Sequence, residues 1–221
     1  MRVRSQLLRI YRLLFKTYGP QSWWPGESSF EVMVGAILTQ NTSWKNVEKS
    51  VLRLKEKGFL SPEGIRRLEK SELASVIRSS GTFRIKTERL KNFINFLFDE
   101  FDGDLVKMKG VPLNKLRDEL LRVKGIGPET ADSILLYGLG KPIFVIDAYT
   151  KRILCRHGMI PEKASYENVQ DLFMENLPHN GRLFNEYHAL LVHLGKWSCR
   201  KVPKCGTCPL KGIGQKARGK G

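Results

Sequence analysis

Hydrophobic positions along the chain recur every three or four residues and almost nowhere every second residue, a pattern that predicts helices and no sheet. Leu7, Leu8, Tyr11, Leu14, Phe15 and Tyr18 fall at helical spacing near the N-terminus. The same stretch has no acidic residue before Glu27 and matches the charge pattern of a transit sequence, but its apolar stripe favours a packed helix. Phe30 to Leu38 is an apolar run broken at Thr39-Gln40-Asn41-Thr42, and helical spacing resumes through Val47, Val51 and Leu54. Ser61-Pro62-Glu63 reads as a helix start with Ile65 and Leu68 inward. Another helix begins at Ser71 and ends at Ser79-Ser80-Gly81, and Lys86 to Phe101 turns Leu90, Phe93, Ile94 and Leu97 inward. Leu113 to Val123 and Glu129 to Leu139 flank a short glycine turn. Ala148 to His157, Tyr166 to Asn176 and Arg182 to Gly195 complete an all-α fold without internal repeats. Lys211 to Gly221 is rich in Gly and Lys and is expected to be disordered.

Charge narrows the class of partner. Among 221 residues, 38 Lys and Arg face 22 Asp and Glu, a formal net charge of +16. A field of that sign attracts nucleic acid or an anionic membrane surface, and a merely solvated basic surface is the competing reading. No stretch is long and apolar enough to span a bilayer. Three of the four cysteines, Cys199, Cys205 and Cys208, lie close together, which suggests a metal site in a reducing compartment. Cys155 stands apart in a helical stretch and reads as a buried thiol.

Two segments carry candidate chemistry. In Val123-Lys124-Gly125-Ile126-Gly127-Pro128-Glu129-Thr130, the glycines permit a tight turn, Ile126 anchors it, and Pro128 opens the next helix. Such a turn can merely pack two helices, but flanked by matched apolar helices in a strongly basic chain it favours presenting backbone amides to a phosphate, which grips DNA without reading sequence. Downstream, the apolar run Ile143-Phe144-Val145-Ile146 ends at Asp147. A carboxylate there is an N-cap for the helix from Ala148 and, if poorly solvated, a strong local electrostatic element; the two roles are compatible.

A Gly-x-Gly hairpin followed by an apolar run ending in Asp resembles the helix–hairpin–helix DNA glycosylase superfamily, of which endonuclease III is a member. The resemblance covers Phe30 to Cys208 and implies two helical lobes with a DNA-binding cleft between them. One lobe is expected over 25–140, the other over 1–24 plus 141–210, with a basic tail at 211–221. It also implies that Asp147 stabilises the charge developing on the sugar and helps activate water. Bifunctional members carry a lysine nucleophile where this chain has Glu129, and a carboxylate cannot form an imine, so base excision without strand cleavage is expected.

Trp23-Trp24-Pro25, Leu38-Thr39-Gln40-Asn41-Thr42 and the hairpin together resemble the endonuclease III-like 3-methyladenine DNA glycosylases. That branch implies a base pocket of Trp23, Trp24, Pro25 and Trp44, with Gln40 filling the gap left by the flipped base. Core packing and a helix-end hydrogen bond are the competing structural roles for the tryptophans and Gln40 respectively. Lys124, Gly125, Ile126, Gly127, Glu129 and Thr130 form the expected DNA-binding turn. Thr82 and Phe83 match the loop that wedges the opposite strand in relatives, although Phe83 also suits the core. Electron-rich rings favour a cationic alkylated purine, whose glycosidic bond is already weakened.

Cys199, Cys205 and Cys208 resemble the 4Fe-4S loop of endonuclease III, with a shortened first gap and no fourth cysteine in Lys211-Gly212-Ile213-Gly214. A cluster with a non-cysteine ligand, zinc with His or water, and a remnant loop are all open. Arg200, Lys201, Lys204 and the framing prolines favour the structural cluster. The expected enzyme is a monomeric, cytoplasmic, monofunctional DNA glycosylase acting on duplex DNA with damaged bases. Excision of mismatched or oxidised bases, or a non-catalytic DNA-binding module, are the alternatives.

Overall fold

A computed structural model describes residues 2–214, and no strand occurs among them. Twelve α-helices are found in this span, and the all-α expectation holds. No helix among the described residues is long and apolar enough to cross a membrane. The chain divides into two compact units, one from Trp24 to Lys141 and the other made of the residues up to Trp23 and from Pro142 on.

The Trp24–Lys141 unit is built around α2 (Ser29–Leu38), buried from Phe30 to Leu38 because its sequence is apolar on every side. The Ser28 hydroxyl caps it by accepting from the Glu31 amide at 3.2 Å. Helices α3 (Trp44–Glu56), α4 (Pro62–Arg67) and α5 (Lys70–Val76) follow, α4 opening on the expected Ser61 cap and Pro62. Helix α6 (Phe83–Phe101) begins three residues earlier than the apolar periodicity indicated and carries Lys86 into the interior, only 1% exposed. A short α7 (Leu105–Gly110), too brief to show a period, leads to α8 (Leu113–Arg122).

The helix expected from Glu129 to Leu139 is in two parts. Residues Pro128–Ser133 form α9, and Ile134–Gly138 widen into a π-turn. The turn brings Gly138 against α2 so closely that a Cβ there would meet Met33 at 2.9 Å. Across the hairpin, Arg117 of α8 donates twice to the fully buried Asp132 of α9, at 2.7 and 3.2 Å, fixing the two helices to each other.

In the other unit, α1 (Arg2–Tyr18) packs on α12 (Gly181–Trp197), and Tyr187 Oη donates to the Leu7 carbonyl at 2.8 Å. The inward stripe of α1 is Leu7, Ile10 and Leu14, whereas Phe15, expected inward, is 39% exposed. Helices α10 (Ala148–Arg156) and α11 (Tyr166–Met174) complete the unit. Phe144 stacks on Phe173 with centroids 3.7 Å apart and anchors the run before Asp147. The tail expected to be disordered from Lys211 is folded at its start, where Ile213 is buried. Its remainder beyond Gly214 lies outside the described residues.

Candidate active site

The hairpin turn is closed by Ile126 N donating to the Val123 carbonyl at 3.0 Å, with the Ile126 side chain buried beneath it. Gly125 has φ +96°, a conformation that favours glycine. Gly127 does not need that freedom: its φ is −95°, and a Cβ there would meet nothing within 4 Å. Lys124, Gly127 and Glu129 are not buried, while Thr130 is.

Neighbouring elements hold this turn from behind. Asn92 Nδ2 of α6 donates to the Lys124 carbonyl at 3.0 Å. Gln40 Nε2, from the loop after α2, donates to the Gly125 carbonyl at 3.2 Å and to Thr130 Oγ1 at 2.8 Å. Arg89 of α6 completes the set by donating to Gln40 Oε1. Gln40 is therefore half-buried against the hairpin in this state, and both of its amide atoms are engaged.

The tryptophans separate. Trp24 and Trp44 meet edge to face with centroids 5.2 Å apart, and Tyr137 of the π-turn joins Trp24 at 5.2 Å. Gly35 of α2 makes room for them, since a Cβ there would lie 3.3 Å from both Trp24 Nε1 and the Trp44 ring. Pro25 follows, exposed. Trp23 belongs to the other unit, where the Lys196 ammonium lies 5.5 Å from its ring centroid. Tyr137 was not singled out in the sequence, although an aromatic residue in a glycine-flanked helix end was a usable signal.

Asp147 caps α10, its Oδ1 accepting from the Thr150 amide at 2.7 Å. The segment leading to it is in neither helix nor strand and is held by α11: Gln170 Nε2 donates to the Phe144 carbonyl at 2.7 Å and Tyr166 Oη accepts from the Ile146 amide at 3.3 Å. The Asp147 side chain is 12% exposed, and His188 Nε2 of α12 lies 3.8 Å from Oδ1. Burial pushes the His188 pKa below its ordinary value, against the opposing pull of the Asp147 carboxylate. His188 therefore favours the neutral form beside the carboxylate. Sequence reading missed it because nothing local links positions 147 and 188.

In the cysteine loop, Cys199 is buried, Cys205 exposed and Cys208 half-buried. Burial raises the Cys208 thiol pKa. Arg156 of α10 donates to Cys199 Sγ at 3.3 Å and to the carbonyls of Arg200 and Lys201 at 2.6 and 3.0 Å. Arg152 donates to the carbonyls of Cys199 and Gly195 at 2.8 and 3.0 Å. Among the described residues, no group of three His, Cys, Asp or Glu side chains is placed to hold a metal ion. At Gly214, a Cβ would come within 2.5 Å of the His157 carbonyl, leaving no room for a fourth thiol. This donor set does not fit a four-thiolate cluster, and α10 arginines brace the loop.

With this geometry established, comparison with known proteins locates the chain. Residues 34–179 match the model of the HhH-GPD superfamily of base excision DNA repair proteins. The chain belongs to that superfamily. This HhH-GPD protein is 45% identical over 209 residues to a Methanocaldococcus jannaschii protein provisionally named a DNA repair glycosylase, covering 94% of each chain. It is 28% identical to an endonuclease III of Thermotoga maritima, over 87% of this chain and 86% of that one. Among solved structures, an H. pylori 3-methyladenine DNA glycosylase bound to 1,N6-ethenoadenine aligns at TM-score 0.75 and 28% identity, over 88% of this chain and 97% of that one. An endonuclease III in a non-covalent DNA complex aligns at TM-score 0.81 and 24% identity, over 95% and 94%, and shares the fold. The chain is thus a base excision repair glycosylase of the HhH-GPD family.

Proposed function

We propose that this glycosylase flips an alkylated purine such as 3-methyladenine out of duplex DNA and hydrolyses its N-glycosidic bond, leaving an abasic site without cutting the strand. The observation that carries this reading is the ring group of Trp24, Trp44 and Tyr137, with Gly35 making room for the two tryptophans. Three electron-rich rings favour a flat cationic base over a neutral one, each well-placed cation–π contact contributing about 0.5–2 kcal/mol. Pro25 follows Trp24 directly and is exposed beside this ring group. The H. pylori neighbour, a 3-methyladenine DNA glycosylase by name, supports the same substrate class.

The remaining residues take roles consistent with that chemistry. Lys124 and the amides of Gly125 and Gly127 grip a phosphate, Ile126 anchors the turn beneath them, and the open space over Gly127 suits close approach of the DNA backbone. Gln40 enters the gap left by the flipped base and bonds to the orphaned partner. Asp147, with one oxygen fixed by Thr150, stabilises the oxocarbenium-like sugar as the base departs and orients the attacking water. A purine alkylated at N3 or N7 is already cationic and leaves without protonation by an acid. Glu129 occupies the position of the lysine nucleophile and supplies no amine, so water is the acceptor.

The test is incubation with duplex DNA carrying methylated purines, followed by chromatography of released bases and gel analysis for nicks. Release of 3-methyladenine with nicks appearing only after alkali is the expected result. Release of thymine from a mismatch, or of an oxidised base, with none from methylated DNA would replace the substrate assignment. Nicking without alkali would replace the monofunctional one.

A further inference from the structure

Residues 86, 89 and 92 lie on one side of α6, and each sends a polar side chain to a different DNA-facing segment. Lys86 Nζ donates to the Leu38 carbonyl at 2.7 Å and to the Ser80 carbonyl. It thereby fixes the backbone just before Thr39-Gln40 and just before Gly81-Thr82. Arg89 donates to Gln40 Oε1, and Asn92 donates to the Lys124 carbonyl. The Arg89 stem also lies on Gly125, where a Cβ would come 2.4 Å from Arg89 Cγ. Glycine is required there by its positive φ and by Arg89 as well.

The polarity of these contacts orients one amide. A guanidinium only donates and the Gly125 carbonyl only accepts, so Gln40 must turn its oxygen to Arg89 and its nitrogen to the hairpin. An asparagine in its place would be one methylene short, and in Gln40→Glu a carboxylate oxygen would face the Gly125 carbonyl unfavourably.

From this we propose that Arg89 is a positioning residue, which registers Gln40 on the hairpin so that the gap-filling side chain and the phosphate grip engage DNA as one unit. The inference rests on the gap-filling role of Gln40 given above. Lys86 sets the height of the Gln40 backbone, Arg89 sets the direction of its side chain, and Asn92 sets the hairpin. Without Arg89, Gln40 keeps the hairpin bonds of its nitrogen but loses the partner that holds its oxygen.

The experiment uses full-length protein and a duplex with a stable abasic analogue opposite 2-aminopurine. Fluorescence of that base reports insertion of a side chain into the gap and needs no catalysis. Gln40→Ala, Arg89→Met, Arg89→Lys and the Gln40→Ala/Arg89→Met double variant are compared by this signal and by base release from methylated duplex. Arg89→Met keeps the apolar stem over Gly125. Removing a charged hydrogen-bond donor should lower the insertion constant about tenfold. Arg89→Lys should restore most of it, and the double variant should be no worse than Gln40→Ala alone.

Additive losses in the double variant would overturn the proposal. An equal loss of affinity for undamaged duplex, with the salt dependence reduced by about one ion, would instead make Arg89 a direct phosphate contact. If Arg89→Met fails to fold, Gln40→Glu provides the second test, and an insertion signal equal to wild type would overturn the proposal. A wild-type protein that inserts but frees no base refutes the substrate reading alone. One that frees bases but gives no Gln40-dependent insertion signal refutes this inference alone.

Discussion

Asp147 has an observed role and a proposed one, which one pair of substitutions separates. As the α10 N-cap it accepts from the Thr150 amide at 2.7 Å, and as a carboxylate it supplies the anion proposed to face the sugar. Asp147→Asn keeps a carbonyl oxygen for the cap and removes the charge, so stability should shift by no more than about a few tenths of a kcal/mol. Asp147→Ala removes the cap as well, at about 1 kcal/mol, which for a chain of this size lowers Tm by about 2–4 °C. Loss of one preorganised group that stabilises transition-state charge slows chemistry about a hundred- to a thousandfold, about 2.7–4 kcal/mol. Both variants should therefore fall equally in single-turnover release of 3-methyladenine while differing in Tm, and fluorescence anisotropy should show DNA binding retained. If the Asn variant turns over at the wild-type rate while the Ala variant loses rate and stability together, Asp147 is only a cap. The anion that faces the sugar would then have to come from another residue.

Other expectations follow from particular contacts. Arg117→Met removes the guanidinium from fully buried Asp132, and calorimetry should record a loss of about 3–5 kcal/mol, largely recovered when Asp132 is also made apolar. Trp44→Ala should reduce selection of methylated over normal duplex by about tenfold or more while leaving nonspecific affinity within about twofold; equal losses would make Trp44 scaffold. Because burial holds the folded His188 pKa below 6.5, the unfolded chain binds its proton first on acidification. Its contribution to stability is complete above 6.5 and declines as pH falls through the folded pKa, so Tm scans from about pH 7 to 5 should be flatter in His188→Gln. With α10 arginines bracing the cysteine loop, a chelator should leave Tm unchanged, whereas Arg156→Met should lower it. An unchanged Tm in Arg156→Met would refute the bracing role.

The sequence by itself determined the helices and the chemistry that is local to them. The apolar periods of α6, α8 and α12, the Ser61-Pro62 start of α4 and the Gly125 turn were all legible, because a helix face, a cap and a positive φ each depend on neighbours a few residues apart. The Asp147 cap was legible for the same reason. Tertiary structure decided what depends on meetings across the chain. Trp23 and Trp24, adjacent in sequence and assigned together, fall in different units, and Tyr137 joins Trp24 and Trp44 from beyond the hairpin. The π-turn at Ile134–Gly138 arises where Gly138 meets α2, which no helical period encodes. Lys86 left a faint trace, a lysine in phase with Leu90 and Phe93, but its carbonyl partners at positions 38 and 80 did not. Burying a polar side chain is tolerated only where partners are already placed, and those partners come from distant segments that folding alone brings together.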